Sequence, residues 1–224
     1  KIIKVGQNLI NTKAEPKTIK MMRTFILAAL SIVIFYPPYL QGLFFEQHQL
    51  PTAIYVFTLF IIFWVYKWLK RDLTFLKTPI EYAAVGFIAV YLVSILTAVH
   101  TRSAIAEWLK YCMYFAVFYM VSEMAENLKV KIIFLWTIVF SAVGVSIIGL
   151  NSAMGGTLVS LLNKAFSKLG VQGDLFFGLF VDYRINSTLQ YPNALASYVM
   201  AVFFIVIGLL LSESKFWLKA LYGA

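Results

Sequence analysis

Residues 192–211 read Pro-Asn-Ala-Leu-Ala-Ser-Tyr-Val-Met-Ala-Val-Phe-Phe-Ile-Val-Ile-Gly-Leu-Leu-Leu, twenty residues without a charge. An α-helix needs about 20 such residues to cross a hydrocarbon core of about 30 Å, so this stretch reads as a membrane span opened by a proline. The rest of the chain has the same character. With 61% apolar and 13% charged residues, it lies outside the range of soluble domains. Its 224 residues leave room for about six spans joined by short connections. The expected fold is therefore all-α, a polytopic bundle of membrane helices in a lipid bilayer.

Working back from that span, residues 1–23 carry six Lys and Arg against the single acid Glu15 and read as a basic cytoplasmic tail. Five spans are expected over 24–150: about Thr24–Phe44, kinked or ended by Pro37-Pro38; Pro51–Tyr66; Pro79–Val99; Ala104–Val121; and Ile132–Leu150. Small residues in the fifth span, Ser141, Ala142, Gly144 and Ser146, would let neighbouring helices approach closely. A long extracytoplasmic segment over 151–191, a sixth span over 192–212 and a short cytoplasmic end over 213–224 complete the plan. Within the long segment, Leu158, Leu161, Leu162, Ala165, Phe166 and Leu169 recur at helical spacing, with Ser160, Asn163, Lys164 and Lys168 mostly elsewhere on the wheel. Such a helix is too short to span and belongs flat in the outer interface.

The formal charge of +9 resides in short clusters flanking apolar runs, Lys67, Lys70, Arg71 and Lys77 being one of them. That is the distribution of the positive-inside rule, not of a nucleic-acid surface, and it puts the N-terminus in the cytoplasm. The single Cys112 excludes an intrachain disulfide and reads as a small packing residue. His48 and His100 fall at span ends with no partner at metal-ligand spacing, so neither a metal nor another cofactor is expected. Glu107 and Lys110, three apart on one helical face, read as an ion pair that neutralises itself inside the membrane.

One polar stretch leads directly into the sixth span: Asp-Tyr-Arg-Ile-Asn-Ser-Thr-Leu-Gln-Tyr at 182–191. The positive end of a helix opened by Pro192, with the guanidinium of Arg184 ahead of it, suits a phosphate at headgroup depth. Ser187, Thr188, Tyr191 and Asn193 supply further donors for such an anion cradle. The competing interpretation is an interfacial arginine that snorkels, with Tyr191 in the aromatic belt.

The run Arg184-Ile-Asn-Ser-Thr-Leu-Gln-Tyr-Pro-Asn-Ala-Leu-Ala resembles a segment of the O-antigen ligase and polymerase superfamily of bacterial membrane proteins. There an arginine and a short polar run precede a Pro-Asn pair that opens a membrane helix. The resemblance covers about fifteen residues, with compatible hydropathy around them. It implies a metal-independent glycosyltransferase of the GT-C type with about a dozen helices, acting at the outer face of the bacterial cytoplasmic membrane. The implied donor is a glycan on undecaprenyl diphosphate, and the implied acceptor is another glycan, a lipid or a protein. The resemblance assigns Arg184 to the diphosphate; Asn193 matches the motif position, where a structural or helix-capping role is expected. It puts the catalytic histidine and a second arginine in a later loop, so this chain, beginning at Lys1 without a methionine and ending at Ala224, is expected to be an N-terminal portion, inactive alone. A polymerase of the same superfamily, a transporter or flippase for lipid-linked oligosaccharide, and a non-catalytic scaffold are the alternatives.

Overall fold

The computed structural model describes residues 16–168, 179–181, 184–189 and 191–212. Most of the expected basic tail, residues 1–15, and the cytoplasmic end, 213–224, lie outside them. Among the described residues six helices are long and apolar enough to cross a membrane, which makes this a multi-pass membrane protein built of helices. They are α1 (Lys17–Phe35), α2 (Glu46–Leu69), α3 (Pro79–Ser94, extended by a 3-10 turn at Ile95–Thr97), α4 (Thr101–Met124), α5 (Leu128–Ala153) and α7 (Pro192–Ser212). Between the last two come a short helix, α6 (Thr157–Lys168), and a hairpin of β1 (Leu179–Val181) and β2 (Arg184–Ser187).

The helix ends depart from expectation in instructive ways. Lys17, Lys20 and Arg23 lie on the first turns of α1 and not in a tail. At its other end α1 stops at Phe35, because Pro37-Pro38 cannot continue the backbone ladder, and a 3-10 segment, Pro37–Leu43, replaces the last third of the expected first span. The expected connection Glu46–Leu50 is instead the first turn of α2, with Pro51 inside the helix. At α3, Thr78 and Glu81 form a reciprocal capping box: the Glu81 amide donates to the Thr78 hydroxyl at 3.3 Å, and the Thr78 amide donates to the Glu81 carboxylate at 2.9 Å. The acid near the start of the third span is thus a buried helix cap.

The chain forms two compact units, one of Lys1–Leu30 with Val56–Met120, the other of Ser31–Tyr55 with Val121–Ala224. The first is organised around an aromatic cluster. Tyr119 meets Phe63 edge-on at 5.9 Å, Trp64 in a stack at 6.2 Å and Phe75 at 5.2 Å. Lys67, expected in a basic loop, is instead 2% exposed in the last turn of α2. Its ammonium donates to the Thr74 carbonyl at 2.6 Å and to the Tyr119 hydroxyl at 3.1 Å, and lies 5.4–5.9 Å from the rings of Phe63, Trp64 and Tyr119. A charge can be buried there because aromatic faces and two oxygens replace its water. Lys67→Ala leaves both a void and unmatched polar atoms, so thermal unfolding in detergent should show a loss of about 2–4 kcal/mol. Lys67→Met, which refills the space, should cost less than half of that. In the same unit Lys110 and Glu107 form the expected ion pair at 2.6 Å, and Cys112 is a half-buried free thiol.

The second unit is built on α5. Val139 and Ala142 of α5 pack with Val202 and Leu209 of α7, joined by Trp136, Tyr198 and Ile205. The Asn151 end of α5 carries α6 through a polar corner. The Gly156 amide donates to the Asn151 carbonyl at 2.8 Å, and the Val159 amide donates to the Asn151 side-chain oxygen at 3.2 Å. Gly155 and Gly156 turn the chain there with φ of +102° and +69°, a region that L side chains avoid. The helix itself starts within one residue of expectation, but Val159, absent from the expected apolar stripe, packs with Leu162 against Ile148 and Tyr39. Leu161 of that stripe is instead 65% exposed.

Candidate functional site

The candidate site is assembled on one side of α5, between its middle and its Asn151 end. Near the middle, the Ser141 hydroxyl donates to the Phe35 carbonyl at 2.6 Å, an oxygen left over where α1 stops. The Tyr39 hydroxyl donates to the Ser141 carbonyl at 3.0 Å. A methyl group added at Gly144 would lie 2.0 Å from that hydroxyl. The small residues of α5 therefore serve two purposes: Ala142 faces a neighbouring helix, as expected, whereas Ser141 and Gly144 admit a tyrosine from the 3-10 segment.

Further along α5 comes the hairpin. β1 and β2 run antiparallel, pairing Phe180 with Ile185 and Val181 with Arg184. The tip of β2 is wedged into α5, where the Ser187 hydroxyl donates to the Val145 carbonyl at 2.5 Å and Ser187 is fully buried. Gly149 makes room, since a β-carbon there would lie 2.9 Å from Ile185 Cγ2 and 3.0 Å from Ser187 Cβ. Ser187 holds φ of +55°, a strained value for a residue with a side chain, kept by this wedge. Asn186 and Leu189 are each 8% exposed, and the Leu189 amide closes a turn onto the Asn186 carbonyl at 3.0 Å.

Both non-helical segments meet α5 well below its end. Ser141 and Val145 precede Asn151 by ten and six residues, or about 15 and 9 Å at the helical rise. Irregular backbone at that depth is tolerated only inside protein or around water. Here it is inside protein, with Gln41, Leu43, Ser187, Thr188 and Leu189 all under one tenth exposed. A β-carbon at Gly42, φ +67°, would lie 3.4 Å from the Leu189 side chain.

The five residues expected to form an anion cradle divide into two sets. Arg184, Tyr191 and Asn193 are exposed. Ser187 and Thr188 are buried at the hairpin tip. The Ser187 hydroxyl is donated to the Val145 carbonyl, so in this structure it anchors the hairpin to α5. Thr188, 1% exposed, has a hydroxyl without a hydrogen-bond partner among the described residues. Tyr191 lies edge-on to Phe44 at 6.4 Å, and its carbonyl accepts the amides of Ala194 and Leu195, both at 3.1 Å. Pro192 does open α7, as expected, but the Ala194 amide turns inward and is not offered to a ligand.

The anchors on α5 lie outside the motif, and a lone glycine within a β-branched apolar run was the only local hint of Gly149. His48 and His100 join no cluster, and among the described residues no three His, Cys, Asp or Glu side chains come together as a metal site. No protein-family model, curated protein or solved structure matches the chain.

Proposed function

We propose that this chain binds the diphosphate of a lipid-linked glycan and belongs to an O-antigen ligase-like transferase. The observation that carries the reading is the exposed guanidinium of Arg184 at the start of a strand whose far end is locked into a membrane helix by Ser187. A planar, permanently charged fork on a rigid support suits bidentate contact with phosphate oxygens. Tyr191 and Asn193, both exposed at the start of α7, supply polar groups near the positive end of that helix.

The reaction transfers the glycan from undecaprenyl diphosphate to a hydroxyl of a glycan, lipid or protein acceptor at the outer face of the bacterial membrane. The acceptor oxygen forms a bond to the anomeric carbon as the bond from that carbon to the diphosphate oxygen breaks. Arg184 meets the negative charge that grows on the departing diphosphate, a form of stabilisation that commonly contributes much of the rate. The group that accepts the hydroxyl proton is unassigned in this chain. In a polymerase the chemistry is the same, with a growing chain as acceptor.

The test is transfer by the full-length protein from a labelled, lipid-linked donor in proteoliposomes. A transferase frees the lipid diphosphate and labels the acceptor. Movement of intact donor across the bilayer without cleavage would identify a flippase instead, and neither event would leave a scaffold.

A further inference from the structure

We infer that α6 carries a binding site for the phosphate of an anionic phospholipid, independent of Arg184 and of the transfer reaction. A groove of about 910 Å³ runs along this helix, bordered among the described residues by Ser160, Asn163, Lys164 and Lys168, with Leu161 and Ala165 beside them. Ser160, Lys164 and Lys168 recur at intervals of four, one turn apart, so two ammonium groups and a hydroxyl line one face. Within α6 itself the charged residues are Lys164 and Lys168, with no acid among its twelve residues to neutralise them.

Three observations favour a lipid over a soluble anion. The helix is fixed to a span, by Asn151 and by Val159 and Leu162 packed against Ile148 and Tyr39. That span, α5, has 26 residues and so is about 39 Å long, longer than the hydrocarbon core of about 30 Å; the end that carries α6 reaches the headgroup layer. Leu161, 65% exposed beside the lysines, then gives the acyl chain below the phosphate an apolar contact.

The experiment uses the full chain in nanodiscs of phosphatidylcholine with a minor fraction of phosphatidylglycerol, and native mass spectrometry of the lipids that stay bound. The wild type should retain phosphatidylglycerol in preference to phosphatidylcholine. In Lys164→Gln/Lys168→Gln the preference should fall about tenfold. Lys164→Arg/Lys168→Arg should keep it, as should a control, Lys70→Gln/Lys77→Gln, that removes equal charge from the α2–α3 connection. Leu161→Gln should weaken retention of the lipid. Unchanged preference in the glutamine pair, or an equal fall in the control, overturns the site. Displacement of the lipid by millimolar glycerol phosphate overturns the lipid assignment in favour of a soluble anion.

Discussion

Arg184→Ala in the full-length protein is expected to lower glycan transfer by about 100-fold or more, the scale on which removal of one preorganised donor to a developing anion is felt. The side chain is exposed at the start of β2, and its removal leaves in place the Ser187–Val145 bond and the fit at Gly149 that hold the hairpin to α5. Expression and thermal stability should therefore match the wild type, which separates a lost ligand contact from a lost fold. Arg184→Lys preserves the charge and loses the planar fork, so it should recover only part of the activity. The readout is the initial rate of label transfer from the lipid-linked donor. Wild-type transfer by Arg184→Ala would remove this arginine from the site.

The second large effect is expected at a residue that has no functional group. Gly149→Val should prise the hairpin off α5, because even the first added carbon would stand 2.9 Å from Ile185 and 3.0 Å from Ser187. Both neighbours are held: Ile185 by its pairing with Phe180, Ser187 by its bond to Val145. Overpacking costs about 1–3 kcal/mol, and loss of the buried hydroxyl bond adds about 1 kcal/mol. Thermal unfolding should register that loss, and transfer should fall with it, because Arg184 shares the displaced strand. Gly208→Ala in α7 is the control. No described residue lies within 4 Å of the carbon it adds, so stability and transfer should remain near wild type. A Gly149→Val protein with normal stability and transfer would mean that the wedge does not hold the site.

The two substitutions act through different links of one chain of causes. Arg184 supplies the charge, and Gly149 with Val145 and Ser187 supplies the geometry that keeps the charge in one place. Without the wedge, a guanidinium on a loose connection would lose much of its preorganisation, and with it most of its differential hold on the leaving group.

The six spans were legible in the sequence because a bilayer imposes a local rule: about twenty apolar residues per crossing, whatever the neighbours. The start of α7 at Pro192 was legible for an equally local reason, the missing donor of a proline, and α6 was betrayed by its period. Tertiary contacts decided what no local rule encodes. Ser187 reads in sequence as a free donor, and only its place against Val145, 42 residues away, makes it an anchor. Lys67 reads as one more basic residue at the end of a span, yet Tyr119, 52 residues on, and the Thr74 carbonyl give it a buried box. Gly144 reads as a site of helix contact, whereas Pro37-Pro38 breaks α1 and releases Tyr39 to occupy it. Hydropathy and charge by themselves determined that this chain crosses the membrane and roughly where. Which polar side chains are committed to the scaffold and which stay exposed was decided by packing between distant segments, because hydrogen bonds and steric fit depend on partners that sequence proximity does not supply.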